Sequence, residues 1–393
     1  MSSKMKITLL SLWALTLTLN NLMAQTNLLF TSYLIKDDNS FNNKAGYAEW
    51  INNSTFQVEH RLKINAYQIR GFYGADFLFF SHNEDLSNYA HQIGIAGSRD
   101  NGNYTIHINA FAKLSHFQQQ YFYCNANRYN VNIHFQFSPN LSKFYTCGLS
   151  INKDYYKDFE ELSNYAYLIH GKYQHFFQSR LSLTLESSLG MKNYVNQSIV
   201  NYFGPGMMEW DKFNPEMRDW RGFERYREEP VKAALFSLSA NIGKSITSHL
   251  GVSLGCGGQW FIGQPITAYS GGIYYYTEND LFDDPYSSQG QYVILQLTRQ
   301  FAINFQGKLG FKYQTKDYAG TPALDAFSNL TGETRYDRRS EYFLLISKKF
   351  ETGWRFPETV QLFFNFMYRN NPSNDPYYDF DDTIGLTGFS VGM

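Results

Sequence analysis

Long segments in which apolar and polar residues alternate constrain the fold of this chain more than any other feature. The alternation places on one face Tyr104, Ile106, Ile108, Ala110, Ala112 and Leu114 of segment 103–114, and Tyr129, Val131, Ile133, Phe135 and Phe137 of segment 128–138. Successive side chains of a β-strand point to opposite faces, so a period of two predicts strands with one apolar and one polar face. The chain is therefore predicted to be all-β.

The length of these segments separates a soluble sheet from a membrane barrel. Strands of a soluble β-sandwich are mostly about five or six residues long. The alternating segments here run for about ten to thirteen residues, the length that a tilted strand needs to cross a bilayer. Strands are predicted at 28–35, 55–67, 69–81, 88–98, 103–114, 128–138, 143–153, 162–176, 180–192, 231–244, 248–262, 290–299, 303–317, 340–350, 358–369 and 381–393.

The connections between these strands alternate in length. Short connections are predicted at 98–103, 138–143, 177–180, 244–249, 299–303 and 351–358, and long ones at 36–54, 115–127, 193–230, 263–289, 318–339 and 370–380. Short periplasmic turns and long extracellular loops alternate in this way in transmembrane antiparallel β-barrels. The prediction is a barrel of about 16 strands. The alternative is 14 strands. The count is least defined at the front, where 28–35 is short and 45–51 is either a further strand or the start of the next one.

The aromatic content fits a membrane barrel. The chain has 34 Phe, 31 Tyr and 6 Trp, and rings at both membrane interfaces form girdles in such barrels. A mean hydropathy of −0.41 is compatible with this fold, because only one face of each strand meets lipid. A net charge of −1 argues against a nucleic-acid binder, and three cysteines cannot form a disulfide scaffold.

The N-terminus has the pattern of a secretory signal peptide. Lys4 and Lys6 precede a charge-free apolar stretch at 7–19, and small residues lead to Ala24. Residues 1–24 are therefore predicted to be a cleaved signal peptide, and 25–393 a single barrel domain in the outer membrane. After Gln25 no apolar run approaches 18 residues, so no membrane-spanning helix is expected.

The C-terminal strand resembles those of Gram-negative outer-membrane β-barrel proteins. Thr387, Phe389, Val391 and Met393 share one face, similar to the terminal signal that barrel-assembly machinery recognises. Segment 368–374 followed by 378–380 also resembles the last hairpin of surface-lipoprotein-assembly-modifier barrels. The resemblance implies a porin-like barrel whose partners are outer-membrane lipid and the barrel-assembly machinery.

Catalytic patterns in the sequence are weak, and no enzyme activity is expected. Segment 251–255 has the Gly-x-Ser-x-Gly spacing of a serine hydrolase, but it lies within a predicted strand, where small residues make room for a neighbour. His82 and Asp85 lack a recognisable third member, and His60, His107, His134 and His170 fall on separate strands. Cys147 and Cys256 are predicted to be small apolar residues on the lipid face.

Two acidic clusters can be interpreted as calcium sites or as solvated loops. One comprises Glu278, Asp280, Asp283 and Asp284, and the other Asp375, Asp379, Asp381 and Asp382. Neither has the spacing of an EF-hand, so solvated loops are preferred and no cofactor or metal is predicted.

The longest predicted loop, 193–230, contains the start of a short helix. Asn214, Pro215 and Glu216 supply an N-cap, a first-turn proline and a first-turn acid. Such a loop can fold inward as a constriction or lie over the outer rim as a cap, and the sequence leaves both open. The residues assigned to it are Arg218, Trp220, Arg221, Arg225 and Arg227.

The polar faces of the predicted strands are mainly basic. They carry Arg61, Lys63, Arg70, Lys113, Arg128, Lys172, Lys192, Lys308, Lys312, Lys316 and Arg369, against Glu59, Asp76 and Glu186. Arg61, Lys63, Lys113, Lys172, Lys308, Lys312 and Lys316 are predicted to form a basic ladder in the lumen. The leading hypothesis is a transport channel for small, preferably anionic solutes. The alternative is a surface-exposed platform for adhesion or lipoprotein and other partner binding, without transport, through aromatic loops such as 263–289.

Overall fold

The structure of the chain is a computed structural model that describes residues 24–40, 44, 46–118, 124–158, 160, 163–195, 199–200, 225–226, 232–263, 285–327, 329–354 and 357–392. Sixteen antiparallel strands form one closed barrel, in which the first strand pairs with the last. The prediction of 16 strands is confirmed and the alternative of 14 is wrong. Segment 49–51 is the start of the second strand.

The barrel is built from strands of 12 to 22 residues. They are β1 (Ala24–Asp37), β2 (Glu49–Ile64), β3 (Tyr67–Phe80), β4 (Asn88–Asp100), β5 (Tyr104–Phe117), β6 (Ala126–Asn140), β7 (Lys143–Tyr156), β8 (Asn164–Phe176), β9 (Leu181–Tyr194), β12 (Lys232–Ser245), β13 (Leu250–Phe261), β14 (Gly290–Ala302), β15 (Phe305–Leu324), β16 (Leu330–Glu351), β17 (Thr359–Asn371) and β18 (Phe380–Gly392). Two further short strands, β10 (Ile199–Val200) and β11 (Arg225–Tyr226), pair with each other. Among the described residues, no helix is long and apolar enough to cross a membrane.

The two ends of the barrel differ in their connections. The short-turn end carries 65–66, 101–103, 141–142, 177–180, 246–249, 303–304 and 352–358, together with the start of β1 and the end of β18. Asn65 and Asn304 have positive φ angles of 53° and 61°, a conformation that asparagine tolerates in tight turns. The long-loop end carries 38–48, 81–87, 118–125, 157–163, 195–231, 262–289, 325–329 and 372–379. The predicted alternation of connection lengths is therefore present, with one exception.

The exception is segment 318–339, which was predicted to be a long loop and is mostly strand. β15 extends to Leu324 and β16 begins at Leu330, so that only 325–329 connects them. The prediction failed because alternation stops where both faces of a strand are polar, as at inward Asp337 and outward Arg338. In the turn itself, the Asn329 backbone N–H donates to the Asp325 carboxylate at 2.9 Å, which holds the pKa of Asp325 below its ordinary value.

The strand register sorts side chains into an inner and an outer face. Large apolar side chains point outward and are exposed, among them Ile93 and Leu309 at 66% and 57% exposure. Ile106, Ile133, Leu183 and Phe364 share the outer face with them, which follows strand by strand from the register. Polar residues such as Asn130 and Ser150 are buried on the inner face. Cys147 and Cys256 are exposed on the outer face, as predicted.

A buried apolar cluster lies inside the barrel near the long-loop end. It is formed by Ile35, Ile51, Leu78, Phe80, Leu86, Met367 and Ile384. Leu86 reaches this cluster because loop 81–87 is held by the carboxylate of Glu49. That carboxylate accepts hydrogen bonds from the backbone N–H groups of Ser81, His82 and Asn83 at 3.1, 3.1 and 2.7 Å. The wall formed by β17, β18 and β1 to β3 is therefore packed at this end.

Candidate functional site

The inner wall of the barrel is the candidate functional site, and the register places the whole predicted basic ladder on it. Arg61 and Lys63 face inward on β2, Lys113 on β5 and Lys172 on β8. Lys308, Lys312 and Lys316 share the inner face of β15, where Lys312 is the register partner of Glu341 and Lys316 that of Asp337. That the ladder selects solutes stays a prediction.

Most of these basic side chains are paired with carboxylates. Glu59 accepts from Arg61 and, at 3.0 Å, from Arg70. Lys113 lies 3.1 Å from Asp76, Lys172 lies 2.7 Å from Glu186, and Lys312 lies 3.6 Å from Glu341. Lys63 and Lys308 form no ion pair with any described carboxylate.

The inner face carries more acidic groups than the alternating pattern predicted. The register adds Asp37, Glu49, Asp154, Asp337, Glu341 and Asp382, together with the basic residues Arg335 and Arg339. These residues were missed because they lie at the strand ends near the long loops, where the alternation that locates a strand fades. The excess of positive charge on the inner wall is consequently smaller than the sequence indicated.

The most deeply buried charges form a network near the long-loop end. Arg369, with 2% of its side chain exposed, lies 3.5 Å from Glu341 and 3.3 Å from Asp382. Arg335 donates from Nε to Asp337 at 3.0 Å, and its guanidinium lies between the rings of Tyr318 and Tyr378, 4.0 and 3.3 Å from their centroids. These charges are therefore part of the packed wall at this end of the barrel.

The second predicted acidic cluster is divided by the fold. Asp375 caps its own loop by accepting from the backbone N–H of Tyr377, and Asp381 accepts from Asn370. The Asp382 carboxylate lies instead with those of Asp37 and Asp38, all within 4.8 Å of one another. The first predicted cluster, at 278–284, lies outside the described residues.

A further sector of the inner wall, formed by β8 to β14, is lined by hydroxyl and amide groups. Ser188 and Ser237 share a hydrogen bond of 2.6 Å, and Gln259 donates to the Ser288 carbonyl at 2.7 Å. This sector borders a cavity of about 470 Å³ that is lined in part by His170, Lys172, Glu186, Ser239 and Gln314. Polar groups of this kind are suited to contact hydrated solutes.

The Gly-x-Ser-x-Gly segment lies in this sector as ordinary strand. Ser253 faces inward in the middle of β13, opposite Gly243 and Gln296. A Cβ at Gly255 or Gly257 would approach Ile294 or Tyr292 to 2.7 and 2.8 Å, so these glycines make room for neighbouring side chains. The strained turn into a helix that a hydrolase requires does not occur at this described segment.

The fold brings three histidines closer together than their positions on separate predicted strands indicated. His107 on β5 is the register partner of His134 on β6, and His134 and His170 are the partners of the same residue, Gly148 of β7. All three face inward. His82 instead lies at the rim, 2.9 Å from the Ser81 hydroxyl and 3.6 Å from Glu49, while Asp85 lies in the following 3-10 turn.

Comparisons with known proteins identify the fold. The structure matches OccK1 (OpdK) of Pseudomonas aeruginosa with a TM-score of 0.50 and 10% sequence identity, covering 94% of this chain and 99% of that chain. It matches OccAB1 of Acinetobacter baumannii with a TM-score of 0.50 and 9% sequence identity, covering 94% of this chain and 96% of that chain. It also matches OprD of Pseudomonas aeruginosa with a TM-score of 0.51 and 9% sequence identity, covering 94% of this chain and 95% of that chain. The chain has the fold of an outer-membrane, porin-like β-barrel. No protein-family model and no curated protein matches its sequence.

The predicted constriction or cap of this barrel is only partly described. Arg218, Trp220, Arg221 and Arg227 lie outside the described residues, and Arg225 is placed by its backbone alone, opposite Val200. The two alternatives, a constriction in the lumen and a cap over the outer rim, therefore both stay open.

The end of the next long loop, however, does enter the barrel. Tyr286, predicted to lie in an outer aromatic loop, packs against inward Tyr194 and Ala233, and the ammonium group of Lys192 lies 5.9 Å from its ring centroid. Ser287 and Ser288 beside it are buried. Segment 285–288 thus narrows the lumen at the long-loop end.

Proposed function

We propose that the protein is an outer-membrane channel for small polar solutes, with a preference for anions. The observation that carries this proposal is an inner wall of mainly polar and charged side chains inside a closed barrel of 16 strands with an apolar outer face. A barrel of this size leaves an aqueous path between its walls, and closure leaves no unpaired strand edge in lipid. The solved structure of the outer membrane protein OpdK of Pseudomonas aeruginosa, matched with a TM-score of 0.50, supports the same location.

The anion preference is assigned to the lysines that lack carboxylate partners. A paired lysine such as Lys312 presents little net charge to a passing solute, because Glu341 lies 3.6 Å away. Lys63 and Lys308 lie on the inner face toward the short-turn end and are not neutralised in this way. Their ammonium groups raise the local anion concentration over roughly 8 Å at physiological salt.

Planar-bilayer recording of the refolded protein tests both parts of the proposal. Discrete open levels are expected, and a salt gradient should give a reversal potential of the sign of an anion-selective pore. Lys308→Glu should shift this potential toward cation selectivity. The matched control is Lys348→Glu, because Lys348 points outward at the same end of the barrel, opposite Phe305, and should leave the potential unchanged.

Three results would contradict the proposal. A silent bilayer would favour the alternative of a surface platform without transport. A cation-selective wild-type pore, or equal effects of Lys308→Glu and Lys348→Glu, would remove the assignment of selectivity to the inner lysines while leaving the channel itself in place.

A further inference from the structure

Three inward histidines lie side by side on neighbouring strands in the half of the barrel toward the short-turn end. His107 and His134 are direct register partners on β5 and β6. His170 on β8 lies two strands from His134, with Gly148 of β7 between them. The barrel therefore brings together residues that are 27 and 36 positions apart in the chain.

Gly148 is the reason that two of the rings meet. The ring centroids of His134 and His170 are 5.1 Å apart and their planes are inclined by 51°. A Cβ on residue 148 would lie 2.8 Å from His134 Nδ1 and also 2.8 Å from His170 Nε2. One nitrogen of each ring therefore points into the space that a larger side chain would fill.

These nitrogens are free to bind a ligand. Other histidines of the chain use a ring nitrogen in a hydrogen bond: His60 with Thr26 at 3.0 Å, and His91 with Tyr73 at 2.8 Å. Among the described residues, His134 and His170 have no such partner, and neither ring carries a fully buried, unsatisfied nitrogen. Their nitrogens therefore face the lumen.

We propose that His134 and His170 form a binding site for a divalent transition-metal ion on the inner wall, with His107 beside it. Neutral imidazole suits zinc, copper and nickel, whereas calcium and magnesium prefer oxygen ligands. Zinc binds imidazole nitrogen at about 2.0 to 2.1 Å, and rotation of the two rings about their side-chain bonds would bring both nitrogens onto one ion. Two protein ligands leave the remaining coordination positions to water or to a solute.

The surroundings provide room for such an open site. His170 lines the cavity of about 470 Å³ on the hydroxyl and amide sector, together with Glu186 and Ser188. An ion bound here lies on the wall of the proposed conduction path and is expected to obstruct it. Only this obstruction rests on the proposed function, since metal binding can be measured without conduction.

The test is titration of the purified, detergent-solubilised protein with Zn²⁺ at pH 7.5 by calorimetry, followed by single-channel recording with Zn²⁺. Wild type is expected to bind Zn²⁺ saturably, and Mg²⁺ not at all. His134→Ala and His170→Ala should each raise the half-saturating Zn²⁺ concentration by about tenfold or more. His249→Ala, which removes a histidine from turn 246–249, is the matched control and should leave it unchanged.

A second variant separates ligand loss from misfolding. Gly148→Ala keeps every histidine but inserts a Cβ between the two nitrogens, so it should weaken Zn²⁺ binding while the barrel still conducts. Wild-type affinity in His134→Ala and His170→Ala, or no saturable binding by wild type, would overturn the site. If the wild-type pore conducts but does not bind Zn²⁺, the metal site is refuted and the channel function is not. If the barrel binds Zn²⁺ but does not conduct, the channel function is refuted and the metal site is not.

Discussion

At the scale of single residues, the inner wall is held by charges that lie almost out of reach of water. Arg369 is the clearest case, because one guanidinium serves both Glu341 and Asp382, and the Asp382 side chain is fully buried. Removing one partner of a buried pair leaves an uncompensated charge, which is more costly than losing a pair at an exposed position. Removal of the Arg369 side chain is therefore expected to destabilise the protein more than removal of the Arg61 side chain.

Arg369→Ala is expected to lower the free energy of unfolding by about 3 to 5 kcal/mol. Arg61→Ala should change it by about 1 kcal/mol or less, because half of the Arg61 side chain is exposed. Urea unfolding of the lipid-embedded protein measures the free energy of unfolding of both variants. Adding Asp382→Asn to Arg369→Ala should restore part of the loss, since it removes the stranded carboxylate. Similar losses in the two arginine variants would show that the network is not desolvated.

Within the central, alternating part of each strand, the sequence could predict which charges face inward but not how they pair. Lys308, Lys312 and Lys316 follow from a period of two within one strand. The partners Glu59 with Arg70, Asp76 with Lys113 and Glu341 with Arg369 depend on the register between strands, which one sequence does not specify. The meeting of His134 and His170 over Gly148 depends on the register of three strands at once.

At the scale of the strand, the alternating pattern predicted the membrane-crossing part well and the ends poorly. Residues 104–114 lie within β5 and 128–138 within β6, because one face meets lipid and must be apolar along this length. Beyond the apolar band both faces meet water or protein. The 22-residue β16 was consequently predicted only at 340–350.

The assignment of faces predicts a sharp difference between neighbouring residues of β6. An arginine in place of outward Ile133 should lower the free energy of unfolding by about 2 to 4 kcal/mol, because it enters the apolar band. Asn132→Arg, one position earlier and facing the lumen, should have little effect. Unfolding titrations in lipid vesicles compare the two. Equal losses would mean that the faces are wrongly assigned.

At the scale of the whole molecule, the lumen has two unlike sides. Near the long-loop end, the side formed by β15 to β18 and β1 to β3 is filled by ion pairs and by the apolar cluster around Ile51 and Met367. The side around β8 to β14 carries hydroxyl and amide groups and borders the cavity of about 470 Å³. A hydrated solute is therefore expected to pass along the second side, where its contacts are polar.

The most direct test of this account is the effect of a charged thiol reagent on single-channel conductance in a background without Cys124, Cys147 and Cys256. Ser239→Cys places a thiol on the inner hydroxyl wall, and Leu238→Cys places one on the adjacent outer position. A water-soluble methanethiosulfonate should lower the conductance of the Ser239→Cys pore and leave that of the Leu238→Cys pore unchanged. Equal effects at both positions, or no effect at Ser239→Cys, would contradict a water-filled path along the inner wall.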